Sequence, residues 1–286
     1  MNTEHPDVEY AIRFIQNELA GLYPAREVRG FTEIIFGHLL NYSKTDLLIH
    51  NDTKLSNSAF LQIEKIVGQL RKHKPIQYIL GEAWFYGLRL EVTPDVLIPR
   101  QETEELVKWV IEEAGGRPVT VLDIGTGSGC IAIALAFNLL FSDVTAVDIS
   151  AGALAVAIRN AKSAGTDIRF IKEDIFIPAI VNSNKYDIIV SNPPYVTESE
   201  KMLIDKNVLH YEPVEALFVP DSRPLVYYEA IAELAGKCLA ENGRLYLEIN
   251  EGKYTEVEEL LRRHMFREIE IRKDINGKYR MARAIA

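Results

Sequence analysis

The chain has 286 residues, more than one compact domain usually needs, so two domains are expected. Hydrophobic residues make up 48% and charged residues 26%, which allows a sizeable core and a soluble globular class. A net charge of −9 argues against a protein that wraps nucleic acid, since such proteins present a basic face, and points to a protein or small-molecule substrate.

No apolar run approaches the roughly 20 residues that span a bilayer, so no membrane association is expected. The start Met1-Asn2-Thr3-Glu4-His5-Pro6 has neither the basic nor the apolar region of a signal peptide, and a cytoplasmic location is inferred. The two cysteines, Cys130 and Cys238, fall in helix-like patterns. They read as small buried hydrophobes rather than a disulfide or metal pair, and no metal is called for.

Residues from about 7 to 74 carry helical periodicity. Val8, Ala11, Ile12, Ile15 and Leu19 share one face, Val28, Phe31, Ile34, Ile35 and Leu39 repeat the pattern, and Phe60, Ile63, Ile66, Val67 and Leu70 form a last stripe. This predicts a small helical bundle, residues 1–78. Pro75 stops the last helix, and the alternating run Trp84 to Val92 predicts a β-hairpin within a linker, 79–98. A helix follows Val96-Leu97-Ile98-Pro99-Arg100, with Gln101 or Thr103 as its cap.

From Val119 strands and helices alternate, which predicts an α/β domain over 99–286 with a Rossmann-like, mostly parallel sheet. Expected strands are Val119–Asp123, Val144–Val147, Ile168–Ile171, Tyr186–Val190 and Arg244–Ile249. Expected helices are Cys130–Leu140, Ala151–Ala164, Leu225–Leu239 and Glu256–His264. Two final runs, Phe266–Ile271 and Tyr279–Ile285, join through Asn276-Gly277, so the last strand is antiparallel.

Two loops carry chemistry. Asp123-Ile124-Gly125-Thr126-Gly127-Ser128-Gly129 lies between the first strand of that domain and its helix, where glycines permit positive φ and bring a ligand to a helix N-terminus. The pattern alone is shared by several nucleotide folds, and without a Lys-Ser/Thr ending it is not a P-loop. Asp148 ends the next strand, where it can accept ribose hydroxyls. Asp174 follows the third, placed for an adenine amino group with Ile175 against the ring. Asp123 suits a positive amino-acid head. The combination points to S-adenosylmethionine. The second loop, Ser191-Asn192-Pro193-Pro194-Tyr195, closes a central strand because two prolines stop the ladder. Asn192 supplies an amide, Pro193 a carbonyl and Tyr195 a flat ring, a grip suited to a planar group bearing NH2.

With these residues in view, the chain resembles class I methyltransferases and, more narrowly, the HemK/PrmC family of release factor glutamine methyltransferases. The likeness includes Pro75 to Gly81, Val96 to Arg100 with Glu102-Thr103-Glu104, Asp123 to Gly129, Asn192 to Tyr195, Glu212-Pro213, and Lys273-Asp274 with Gly277 and Arg280. It implies methyl transfer to the side-chain amide N5 of the glutamine in the Gly-Gly-Gln motif of class I peptide chain release factors. Residues 125–129, Asp148, Asp174, Ile175 and Asn192 would hold the cofactor. Asn192, Pro193, Pro194 and Tyr195, with Arg100 and Glu102, would hold the substrate, the helical domain would help recognise the release factor, and the enzyme would act as a monomer. Gln101 stands where the family usually has proline, Asn250 where glycine is common, and 218–223 lacks the usual glycines. The rival reading is a nucleic-acid adenine-N6 methyltransferase, against which the acidic balance argues. A cofactor-binding scaffold without chemistry is the remaining alternative, disfavoured by the intact Asn192–Tyr195.

Overall fold

The computed structural model describes residues 6–179 and 185–286, so the stretch up to His5 read for targeting signals lies outside the described residues. The chain divides into two compact units, 1–81 with Lys206–Tyr211, and 82–205 with 212–286. Among the described residues no helix is long and apolar enough to cross a membrane.

The first unit contains α1 (Val8–Leu19), α2 (Ala25–Leu40), α3 (Lys44–Ile49), α4 (Asn57–Leu70) and α5 (Ile76–Leu80). Side chains cap the starts of α1, α3 and α4, whereas prolines precede α2 and α5. Asp7 accepts from Tyr10 N, Ser56 accepts from Ala59 N, and Ser43 with Asp46 forms a reciprocal capping box. Asn41 ends α2 in the left-handed conformation. Ile15, Leu19, Ile35, Phe36, Ile63 and Leu70 are fully buried and bind the helices into one core. Ile34, expected on the buried face, is instead exposed, because it stands one residue round the helix from Ile35.

The second unit opens with β1 (Glu82–Phe85) and β2 (Leu88–Glu91), an antiparallel hairpin turned by Tyr86 and Gly87, both at positive φ. Phe85 and Leu90 are buried in this unit's core, so the hairpin belongs to it. Then come α6 (Gln101–Ala114), β3 (Thr120–Ile124), α7 (Cys130–Asn138), β4 (Asp143–Asp148), α8 (Ala151–Ala164), β5 (Arg169–Lys172), β6 (Tyr186–Ser191), β7 (Val196–Thr197), α9 (Lys206–Tyr211, assigned to the first unit), β8 (Phe218–Val219), α10 (Val226–Cys238), β9 (Leu239–Glu248), α11 (Tyr254–Arg263), β10 (Arg267–Lys273) and β11 (Tyr279–Ile285).

Among the described residues seven strands form one sheet in the order β10-β11-β9-β6-β3-β4-β5, and β11 alone runs opposite to the other six. Alternate residues serve opposite faces. Val121, Ile188 and Tyr246 pack with α6, α7 and α8, while Leu122, Ile189 and Leu245 pack with α10 and α11. Each fully buried Leu or Ile contributes roughly 1.5–3 kcal/mol relative to an exposed position. Strand β9 begins earlier than the apolar pattern suggests. Asn242 takes a positive φ and the register with β6 shifts there, so Leu239 still pairs with Tyr186 ahead of the polar interruption.

Gly129 closes the glycine loop at the start of α7 with φ +82°. A Cβ there would lie 2.9 Å from Ile133 Cδ1 and 3.1 Å from Ala157 Cβ, so this glycine lets α7 and α8 meet, whereas a Cβ at Gly127 meets nothing within 4 Å. Gly129→Ala combines a left-handed penalty of roughly 1–2 kcal/mol with overpacking of about 1–3 kcal/mol. Urea denaturation should show it clearly less stable than Gly127→Ala; equal midpoints would contradict the crowding.

Candidate active site

The carboxyl ends of β3, β4 and β6 surround a cavity of about 370 Å³, within the roughly 300–1,000 Å³ of small-molecule sites. Parallel pairing places it. Ile124 is opposite Ser191 in the β3–β6 ladder and Val147 in the β3–β4 ladder, so the loops leaving these strands emerge side by side. Ser191 Oγ donates to Ile124 O at 2.7 Å and locks the first two together.

The glycine loop folds back on β4. Gly125 N and Thr126 N both donate to Val147 O, at 2.9 and 3.0 Å. Gly127 N donates to Asp148 Oδ2 at 2.8 Å, and Ser150 N to Asp148 Oδ1 at 2.9 Å. A carboxylate has about four acceptor positions, so Asp148 retains capacity toward the cavity it lines. Burial raises its pKa against the opposing effect of these amides. Asp174 Oδ1 accepts from Phe176 N at 2.9 Å, and Asp174 and Ile175 both line the cavity. So do Gly125, Thr126, Gly127, Ser128 and Cys130. Cys130 is half-buried rather than sealed in the core, yet burial pushes its thiol up to about 12, with Asp123 adding to the effect.

Asp123 stands behind the residues that line the cavity, and its Oδ1 is buried with no hydrogen-bond partner among the described residues. It is fully buried, and its Oδ2 accepts from Thr126 Oγ1 at 2.7 Å and Ala132 N at 3.2 Å, bracing the loop from beneath. Burial, with Asp148 nearby, raises its pKa to about 7 despite those bonds. Gly129 also lies outside the lining; it forms the turn.

Asn192, Pro193 and Pro194 line the same cavity as the glycine loop. Tyr195 does not, because its hydroxyl is drawn to Glu248 Oε1 at 3.0 Å and its ring faces the Arg280 guanidinium at 5.8 Å. These contacts brace the loop from behind. Arg100 lines the cavity while its Nη2 donates to the buried Glu212 at 2.6 Å; Glu212 also accepts from Ile98 N. Glu102 lies elsewhere and accepts from Asn276 Nδ2 at 3.1 Å. Nor do Gln101 or Thr103 cap α6: Arg100 holds the cap position without a side-chain bond, and Thr103 lies one turn further in.

Sequence reasoning missed three residues. Thr103 Oγ1 donates to Glu248 Oε2 at 2.6 Å and accepts from Asn192 Nδ2 at 3.2 Å. Glu248 is fully buried at the end of β9; burial raises its pKa, opposed by Thr103, Tyr195 and Arg280. An acid closing an apolar strand, as at Asp148, was the available signal. Asn160 on the otherwise Ala-rich α8 clamps Glu91 N, Glu91 O and Ser128 O, tying the glycine loop to the hairpin. Asn250 likewise explains its departure from glycine: its Nδ2 donates to Tyr195 O and Glu200 Oε2, both at 3.1 Å.

Among the described residues that line the cavity, Arg100 is the one basic side chain, whereas Asp95, Asp148, Glu173, Asp174 and Glu215 are acidic. This acceptor-rich lining fits a cationic adenosine-bearing ligand and not a polyphosphate. Among the described residues no group of three or more His, Cys, Asp or Glu could hold a metal ion.

Because the native pKa of Asp123 lies above its value of 3.8 in an unfolded chain, the folded protein keeps this proton between 3.8 and about 7. The stability it contributes is present at acid pH and lost as pH rises through about 7. Asp123→Asn should therefore gain on the parent by a few kcal/mol between about pH 4 and about pH 8. Parallel pH dependences in thermal denaturation would contradict this.

Two family models match the chain, Methyltransferase small domain over residues 103–212 and PrmC N-terminal domain over 11–81. The release factor glutamine methyltransferase of Flavobacterium psychrophilum is 46% identical over 276 residues, covering 95% of this chain and 96% of the relative. That of Bacteroides thetaiotaomicron is 42% identical, covering 95% and 97%. Among solved structures, the T. thermophilus 16S rRNA N2 G1207 methyltransferase in complex with AdoMet and guanosine superposes with a TM-score of 0.54 at 20% identity, over 71% of this chain and 49% of that one, and shares the fold. On the identity and coverage of these relatives, the chain belongs to the release factor glutamine methyltransferase family.

Proposed function

We propose that the protein transfers a methyl group from S-adenosylmethionine to the N5 amide nitrogen of the glutamine in the Gly-Gly-Gln motif of class I peptide chain release factors. The observation that carries this is the convergence of Asn192 and Pro193 with the glycine loop, Asp148 and Asp174 on one cavity. S-adenosylmethionine supplies an electrophilic methyl on a positively charged sulfur. Asp148 would accept from its ribose and Asp174 from its adenine amine, and Ile175 would lie against the ring; all three line the cavity.

An amide nitrogen is a weak nucleophile because its lone pair is delocalised into the carbonyl. Asn192 Oδ1 and Pro193 O accept the two N–H bonds of the glutamine amide. Those contacts direct the nitrogen lone pair at the methyl carbon and stabilise the positive charge that grows on nitrogen. Orientation of this kind supplies part of the roughly 7–11 kcal/mol available from positioning. The cofactor would supply the methyl and keep the C–S electron pair, and the glutamine nitrogen would release its proton to water. The helical unit recognises the release factor, and the enzyme works as a single chain in the cytoplasm without nucleic acid. The adenine-N6 alternative is not favoured, since the relatives are named for release factor glutamine.

Tritium transfer from labelled cofactor should reach purified release factor and be absent when its acceptor glutamine is alanine. Asn192→Ala should lower transfer by about 10²-fold or more while cofactor binding by calorimetry changes only a few-fold. Label on plasmid DNA instead of release factor would overturn the assignment.

A further inference from the structure

Arg280, Tyr195, Glu248 and Thr103 come from β11, the Asn-Pro-Pro-Tyr loop, β9 and α6, and meet behind Asn192. We propose that they form a one-directional hydrogen-bond chain that fixes which end of the Asn192 amide faces the cavity, with Thr103 and Glu248 as positioning residues for methyl transfer. This rests on the reading that Asn192 holds the acceptor amide.

The direction follows from what each group can donate. Arg280 has donors and no acceptor. It is anchored by the buried Asp274 at 3.3 Å and Ile249 O at 3.2 Å, and its Nη1 lies 3.5 Å from the Tyr195 oxygen. Tyr195 therefore accepts on that side and sends its own hydrogen to Glu248 Oε1, 3.0 Å away. Thr103 Oγ1 sends its single hydrogen to Glu248 Oε2 across 2.6 Å, the short separation of a hydroxyl on a carboxylate. Only a lone pair of Thr103 remains for Asn192, 3.2 Å away, and only an N–H can meet it. The amide nitrogen of Asn192 is thus turned to Thr103 and its oxygen to the glutamine NH2. The flipped amide would set oxygen against oxygen at Thr103 and NH2 against NH2 at the substrate.

Thr103→Val keeps the shape and removes the lone pair, whereas Thr103→Ser keeps it. With release factor as acceptor, Thr103→Val should lose roughly 10²-fold in kcat, with KM for release factor and cofactor Kd within about threefold of the parent. Thr103→Ser should stay within about threefold in all three. Should Thr103→Val not fold, Thr103→Ala, which needs no extra room, gives the same comparison. Glu248→Gln, whose NH2 can donate to Thr103 and reverse the chain, should also fall mainly in kcat. A Thr103→Val or Thr103→Ala enzyme with parental kcat, or a Thr103→Ser enzyme as impaired as they are, overturns the inference. A parent enzyme that never labels release factor glutamine overturns the functional reading itself, a separate result.

Discussion

The parallel ladder between β3 and β6 is the constraint on which the site depends. It sets Ile124 opposite Ser191, and the Ser191 hydroxyl donates to the Ile124 carbonyl. A one-residue slip would turn every side chain of β6 to the other face and move Asn192 off the cavity. Ile188 and Val190 on one side and Ile189 on the other are essentially fully buried, so the slip would also misfit the packing on both faces of the sheet. The hydrophobic sandwich thereby specifies the distance between the glycine loop and the Asn-Pro-Pro-Tyr loop.

Beneath that pair of loops lie two buried carboxylates with different tasks. Asp123 holds the glycine loop through Thr126 and the start of α7 through Ala132 N. Glu248 gathers hydroxyls from α6 and the proline corner. Burying such groups is unfavourable unless they are hydrogen-bonded; both Glu248 oxygens are, whereas at Asp123 Oδ2 is bonded and Oδ1 has no partner among the described residues. Neither touches the cavity in the way Asn192 or Asp148 does, and both determine how cavity residues are held.

The architecture was legible because buried parallel strands read as apolar runs and the helices carry clear periodicity. Ala151–Ala164 is a helix over the expected residues, and the last hairpin makes β11 antiparallel as its Asn-Gly turn implied. The cavity-lining residues Asn192, Pro193, Asp148 and Asp174 were legible because strand ends collect ligands. What escaped were partnerships at long sequence separation. Thr103 looks like a cap because local pattern cannot separate a cap position from the first turn, and its true partner Glu248 lies 145 residues away. Tyr195 reads as a flat ring in the proline loop, and its ties to Glu248 and Arg280, 53 and 85 residues away, carry no local signal. Glu102 lies one residue before Thr103, on another side of the same helix, and goes to Asn276.

The short helix Lys206–Tyr211 departs from the unit that surrounds it in sequence and joins the amino-terminal one, where Tyr211 donates to Lys72 O at 2.9 Å. The polypeptide therefore passes between the two units three times, after residues 81, 205 and 211. The amino-terminal unit is thus completed by a stretch that comes after the Asn-Pro-Pro-Tyr corner in sequence, so a fragment ending at residue 81 would lack part of its own fold.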